Sequence, residues 1–284
     1  MEQGTNEWLE FRRTGLGSSD MAAILGECPY RTPLSVYRSI VEGIYAKDNF
    51  AMARGREWEP VAREYANLEY ECTFEPRIAH KIIDGVKFIA SLDGDNGNEI
   101  LEIKVPGKAT LELAEKGEIP KHYMIQIQHQ LLVTERSCAI FAAFDPDKKE
   151  THYVQIAHDL VMQERIKKAG VAFWKNNILQ KIEPEPTDGD FLSSEDAGFA
   201  VEAANYRIAK YKLTEAEAEM EAAKEALNAR LGALPGLVGF GLKLSRYSRK
   251  GNVDYAKIPQ LVGVDLEPYR KKPSSVFKIT EEKT

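Results

Sequence analysis

The chain has 284 residues, with 38 Lys and Arg against 44 Asp and Glu, for a formal charge of −6. Its 43% apolar and 29% charged residues are those of a folded, water-soluble protein, and 11 Phe, 12 Tyr and 3 Trp exclude disorder throughout. No apolar run approaches the ~20 residues of a bilayer span, the start lacks a signal-peptide layout, and Cys28, Cys72 and Cys138 stand too far apart for a zinc cluster or disulfide framework, so an intracellular, cytoplasmic protein with no membrane partner is expected.

In chain order, Asn6 is placed to cap a helix over residues 7–12, the segment from Gly15 to Asp20 turns the chain, and Ser19 or Asp20 caps a helix over 21–25. Thr32-Pro33 opens a helix to about residue 40, with proline in its first turn. Trp58, Val61, Ala62 and Tyr65 recur at helical spacing within a helix over 52–68. The period then drops to two. Residues 73–75, 81–84 and 88–92 read as strands, Asp93-Gly94 as a turn, and 99–105 as a further strand. A helix over 120–134, a strand over 138–144, a turn at Asp145-Pro146-Asp147, a strand over 152–157 and a helix over 159–178 complete an α/β core assigned to residues 1–182.

Residues 183–284 form an extension. Residues 183–190 are a linker by composition. Phe199, Tyr206, Ala209, Leu213, Ala216, Met220, Ala223 and Leu227 then form the narrow seam of a long helix, as in a coiled-coil arm, and Thr214 with Glu217 reads as a capping box that divides it in two. A small β segment over 238–247 follows. From Lys243 to Lys278 nine basic residues face three acidic ones, a stretch suited either to a solvated surface or to tracking duplex DNA.

The chemistry concentrates in Asp93, Glu102 and Lys104, spaced D-x8-E-x-K. On a strand Glu102 and Lys104 share one face, and Asp93, at the end of the preceding strand, meets Glu102 across the hairpin. Two carboxylates make a hard oxygen site for Mg²⁺ or Mn²⁺, which polarises a scissile phosphate and acidifies a water, while Lys104 holds that water or balances charge. A plain hairpin with an exposed Glu102–Lys104 ion pair uses the same residues, so the triplet alone leaves both readings open. Glu59 on the upstream helix adds a further carboxylate, and Gln126 and Gln130 share a face of the downstream helix. The five histidines show no metal-ligand spacing.

Six motifs in order carry a resemblance: Trp8-x3-Arg12, Gly15-x-Gly-Ser-Ser-Asp20, Gly55-x3-Glu59-Pro60, Ser91-x-Asp93-Gly94, Leu101-Glu-Ile-Lys104 and Tyr123-x2-Gln126-x-Gln128-His-Gln130. Over roughly residues 8–175 the chain resembles the YqaJ-type viral recombinase nucleases, relatives of the phage lambda exonuclease in the PD-(D/E)xK superfamily. The resemblance implies a restriction-endonuclease-like core, a central mixed sheet flanked by helices, here with the long-helix and small β extension. It implies metal binding by Asp93, Glu102, the Ile103 carbonyl and Glu59, with Lys104 as the catalytic lysine and two Mg²⁺ (or Mn²⁺) per site. Arg12, Ser19, Ser91 and Gln126 match residues that pocket a 5′-phosphate. Arg13 is adjacent to Arg12, and the spacing from Trp8 favours Arg12.

The implied activity is a Mg²⁺-dependent 5′-to-3′ exonuclease on double-stranded DNA ends, releasing 5′-mononucleotides and leaving 3′ single-stranded tails. A single-strand annealing protein as partner, a trimeric homo-oligomer and a phage or prophage origin in a bacterial host are further implications. Two other readings use the same residues: a structure-specific endonuclease with this core, and a non-catalytic module that binds DNA ends.

Overall fold

The computed structural model describes residues 5–45, 48–245, 247, 258 and 264. Beyond Ser245 the basic stretch lies outside the described residues, except for Tyr247, Ile258 and Val264. The chain divides into two compact units, Met1–Phe191 and Leu192–Thr284. The segment over 183–190, expected as a linker, is tied to the first unit: Thr32 donates its hydroxyl to Asp190 at 2.5 Å, and Arg38 pairs with Glu183 at 3.9 Å.

The first unit opens with α1 (Asn6–Arg12), capped by Thr5, whose hydroxyl accepts the Trp8 N–H at 3.3 Å. The cap therefore lies one residue before the expected Asn6, which is itself the first helical residue. A two-residue strand, β1 (Leu16–Gly17), leads into α2 (Ser18–Ile24). Asp20 reaches back to accept the Gly17 N–H at 2.8 Å, so Ser19 lies exposed in the first turn instead of at the cap. Helix α3 (Pro33–Val41) starts as its Thr-Pro pair dictates, with Thr32 accepting the Ser35 N–H. Helix α4 (Phe50–Glu69) is capped by Asn49 and carries Pro60 in its interior.

The sheet contains β2 (Glu75–Ile83), β3 (Val86–Asp95), β4 (Glu99–Lys104), β5 (Cys138–Asp145) and β6 (Glu150–Ile156), together with β1. Strands β2–β3, β3–β4 and β5–β6 pair antiparallel, while β4–β5 and β1–β3 pair parallel. The parallel β4–β5 pair needs a crossover, supplied by α5 (Lys108–Glu115) and α6 (Lys121–Thr134). Helix α5 was not among the expected elements. Helix α7 (Leu160–Phe173), capped by Asp159, runs into a π-turn over Trp174–Ile178.

Two expectations in the sheet are corrected. The segments read as separate strands over 73–75 and 81–84 are one strand, β2. Asp93-Gly94 is not a turn: β3 continues through Asp95, and the reversal falls at Asn96–Asn98. There Asn96 Oδ1 accepts the Asn98 and Glu99 N–H groups, Asp95 Oδ1 accepts that of Gly97, and Gly97 takes φ +91°, which a side chain resists.

The sheet is covered on both faces. Phe88, Ala90, Ile100 and Phe141 pack with residues of α2, α3, α6 and α7, while Leu101, Ile103, Ile140 and Phe144 pack against Ala62 and Ala66 of α4. Each such large side chain contributes about 1.5–3 kcal/mol on burial. No described helix is long and apolar enough to cross a membrane.

In the second unit, α8 (Ala197–Leu231) is one unbroken 35-residue helix, which overturns the expected division at Thr214. The Thr214 hydroxyl donates to the Lys210 carbonyl at 3.0 Å, four residues back, so it is satisfied within the helix. A hairpin follows, β7 (Gly236–Gly239) and β8 (Leu242–Ser245), turning at Phe240-Gly241 with φ of +47° and +78°.

Candidate active site

The site begins with a fork in the sheet. One edge of β3 pairs with β2 along its length. The opposite edge is shared: β1 pairs at Phe88 and Ile89, and β4 pairs at Gly94 and Asp95. Between them residues 90–93 have no ladder partner on that edge among the described residues. Asp93 stands where β4 departs, and its Oδ2 accepts the Ile103 N–H at 2.8 Å, taking the place of a main-chain acceptor. Against β2, β3 carries one extra residue between Leu92 and Asp95, a bulge that re-aims the intervening side chains. Gly94 permits this course, since a Cβ there would lie 2.6 Å from the Phe74 Cβ.

Glu102 is 1% exposed, which excludes the exposed ion pair of a plain hairpin. One of its oxygens accepts from both Lys104 Nζ and Gln126 Nε2, the latter at 2.6 Å; the other accepts from Gln130 Nε2. The Lys104 ammonium also lies 5.5 Å from the centre of the Tyr123 ring, a cation–π contact. Burial alone would lower the Lys104 pKa, but the Glu102 and Asp93 charges outweigh it and hold it above the ordinary lysine value. Asp93 shifts well upward, first through burial and then through repulsion by Glu102 and Glu59, against the opposing charge of Lys104. The fork thus holds two crowded carboxylates and one ammonium.

Glu59 faces this cluster from α4, paired with Arg63 one turn along. Arg63 also donates Nε to the Asp93 carbonyl at 2.6 Å, tying α4 to the bulge. Sequence reading missed Arg63, although its position four residues after Glu59 on one helix face was a usable signal.

A second feature is a cavity of about 560 Å³ whose lining includes Trp8, Arg12, Ser19, Asp20, Tyr30 and Arg31. Arg12 lies 5.6 Å from the Trp8 ring centre and donates to Asp20 at 2.8 Å; Arg31 donates to the other Asp20 oxygen at 2.6 Å. Burial pushes the Asp20 pKa up, yet Arg12 and Arg31 together bring it below the usual carboxylate value. The neighbouring Arg13 donates to the Ile40 and Val41 carbonyls, binding the end of α3, so the two arginines have separate tasks. Of the four residues matched to a phosphate pocket, the cavity brings together Arg12 and Ser19, while Ser91 and Gln126 do not line it. Gln126 is held on Glu102, and Ser91 Oγ is buried without a hydrogen-bond partner. His129 is fully buried against Phe88, with ring centres 5.4 Å apart, and burial lowers its pKa to about 3, so it is a neutral core residue.

Gly17 sits beneath the Arg12 guanidinium, where a Cβ would come within 1.3 Å of Nη1. Gly17→Ala is therefore expected to swing Arg12 off Asp20 and to destabilise the protein by roughly 1–3 kcal/mol, the worth of a charge-assisted hydrogen bond. Urea unfolding measures it; an unchanged midpoint would mean that this contact carries no stability.

A forked mixed sheet, helices on both faces, and an Asp, a Glu and a Lys converging where the strands part define the core of the PD-(D/E)xK nuclease fold. Residues 7–137, a little under half of the chain, match the YqaJ-like viral recombinase domain family. It is 30% identical over 200 residues to the protein YqaJ of Bacillus subtilis (strain 168), an alignment over 63% of this chain and 58% of that one. The chain therefore spans less than two thirds of that relative. It also superposes, with a TM-score of 0.55 and 27% identity, on the crystal structure of an alkaline exonuclease from Laribacter hongkongensis, covering 63% of this chain and 95% of that enzyme. A further crystal structure of that exonuclease is its complex with dAMP, with the same score and identity, 0.55 and 27%.

Proposed function

We propose that the protein is a Mg²⁺-dependent exonuclease that degrades one strand of double-stranded DNA from its 5′ end, releasing 5′-mononucleotides and leaving a 3′ single strand for recombination by an annealing protein. The observation that carries this reading is the convergence of Asp93, Glu102 and Lys104 at the fork of the sheet. The relation to an alkaline exonuclease that binds dAMP supports a nucleotide product.

The donor set fits a small, hard cation. Asp93 and Glu102 are carboxylates crowded together, with Lys104 as their counter-charge. Among the described residues no three His, Cys, Asp or Glu side chains gather into a cage. Mg²⁺ is commonly held by one or two carboxylates, with water and substrate oxygens in its remaining positions. Asp93, Glu102 and the Ile103 carbonyl would hold it, with Glu59 acting through water. Bound there, the ion would polarise the scissile phosphate and supply a nucleophilic water at neutral pH.

The side chains do the positioning. Lys104 presents an ammonium beside the carboxylates, where it stabilises charge that grows on the phosphate during attack. Gln126 and Gln130 hold the Glu102 carboxylate in one orientation. Asp20 presents the Arg12 fork to the cavity, and Ser19 adds a hydroxyl, a pairing suited to a terminal phosphate dianion. A phosphate seated there orients the duplex end; Ser91 and Gln126 lie outside this cavity, and Gln126 stays on Glu102.

The test uses linear duplex DNA with and without a 5′-phosphate, and a closed circle, in Mg²⁺. Rapid loss of the phosphorylated linear DNA alone supports the exonuclease. Arg12→Ala is expected to slow that loss roughly 10²-fold and to level the two linear substrates. Cleavage of the circle makes the protein an endonuclease; binding of ends without cleavage makes it a binding module.

A further inference from the structure

Helix α8 carries a stripe that nothing in the nuclease reading uses. Phe199, Tyr206, Leu213, Met220 and Leu227 recur at intervals of seven, and Ala209, Ala216 and Ala223 follow three of them at a distance of three. A strict seven-residue repeat is the period of a left-handed coiled coil, with the large residues at one core position and alanine at the other. Phe199 is 58%, Tyr206 39%, Leu213 59% and Met220 51% exposed. A helix of this length gains most of its stability from packing such a stripe.

The stripe is complementary to itself about a two-fold axis between residues 214 and 215. When two copies lie antiparallel about that axis, Leu213 faces Ala216 of the second copy, Tyr206 faces Ala223, and Met220 faces Ala209. Every central layer then sets a large side chain against a small one, which gives even helix spacing. The flanking charges agree in the same register. Lys212 lies beside Glu219 of the second copy and Lys210 beside its Glu217, each pair occurring twice by symmetry. A parallel pair would instead stack Leu213 on Leu213 and Ala216 on Ala216, alternating wide and narrow layers.

We propose that α8 is a self-association arm, pairing antiparallel with α8 of a second copy of this chain. Contacts elsewhere between copies would also change the mass, so the test reads a specific link and not mass alone. Full-length Leu213→Cys and Ala216→Cys proteins are prepared separately, then mixed and oxidised. Inter-chain disulfides are mapped by mass spectrometry of the joined peptides.

The mixture is expected to yield a 213–216 inter-chain link at least tenfold above either variant alone. Leu213→Glu with Met220→Glu, placed on the exposed stripe, is expected to lower the self-association constant at least tenfold by sedimentation while leaving nuclease activity on linear DNA unchanged. Efficient self-linking of Ala216→Cys alone would mean a parallel pair and overturn the arrangement. Absence of any link, or hydrogen-exchange protection of residues 199–223 in an isolated monomer, would mean that the chain covers its own stripe and would overturn the proposal.

Discussion

Asp93→Asn is expected to reduce DNA cleavage by on the order of 10³-fold or more, because it removes a negative ligand from the reacting centre, and at the same time to raise the thermal midpoint of the metal-free protein. The second effect follows from the electrostatics of the fork. Burial and the Glu102 charge raise the Asp93 pKa in the folded state above its value in the unfolded chain. The stability associated with this group is fully present below the unfolded value, about 3.9, and is lost as pH rises through the higher folded value. Wild-type protein without metal should therefore lose stability with rising pH across that interval, and the asparagine variant should lack this component. Asp20 has the opposite sign. Its lowered pKa adds stability above the unfolded value, which is lost as pH falls through the folded one. Thermal melts of both proteins at several pH values, with and without Mg²⁺, check the prediction. Mg²⁺ should raise the wild-type midpoint and leave that of the variant nearly unmoved. Retained cleavage, or a variant less stable than wild type at neutral pH, would refute this account of the fork.

Glu102→Ala is expected to be the most destabilising single change in the site, at about 3–5 kcal/mol, the cost of leaving a buried charge without its partner. The substitution leaves Lys104 with Asp93 alone as counter-charge and leaves the Gln126 and Gln130 amides without their acceptor. Against a typical total stability of about 5–15 kcal/mol, such a loss brings the chain close to unfolding. A double substitution, Glu102→Leu with Lys104→Met, should recover the part of the loss that comes from the ion pair, since an apolar pair of similar volume needs no counter-charge, while the Gln126 and Gln130 amides stay without an acceptor. Urea titrations of Glu102→Leu, Lys104→Met and the double variant close the cycle. A Glu102→Ala protein within 1 kcal/mol of wild type would mean that water reaches Lys104 and that the site is not buried as described.

Much of the frame was legible in the residues. Helices α3, α4, α6 and α7 fall close to where the residues place them, α3 and α7 through their Thr32 and Asp159 caps and α4 through an apolar stripe at helical spacing, all local signals. Strands β4 and β5 were legible for a similar reason. The turn at Asp93-Gly94 was misread because Asp-Gly has the composition of a turn, whereas here Gly94 serves a close approach to Phe74 and the carboxylate of Asp93 is needed in the fork. Helix α8 was expected to break because Ser and Thr favour caps, but the Thr214 hydroxyl found its acceptor inside the helix. Helix α5 went unread because eight residues give too short a window for periodicity.

By itself the sequence determined the residue types and spacing of the site: Asp93, Glu102 and Lys104 in one hairpin, Glu59 upstream, Gln126 and Gln130 downstream, and Arg12 one turn after Trp8. These are short-range facts, set by strand and helix periods. Only the tertiary structure decided which of them meet. It buried Glu102 under α6, bent β3 by one extra residue to turn Asp93 to the fork, brought Arg63 onto the Asp93 carbonyl, and separated Arg12 from Arg13 by giving Asp20 to one and the end of α3 to the other. The physical reason is that burial and the sharing of charge depend on neighbours distant in the chain. A carboxylate read alone is an exposed anion, and it becomes a candidate for chemistry when the fold removes its water and sets like and unlike charges beside it.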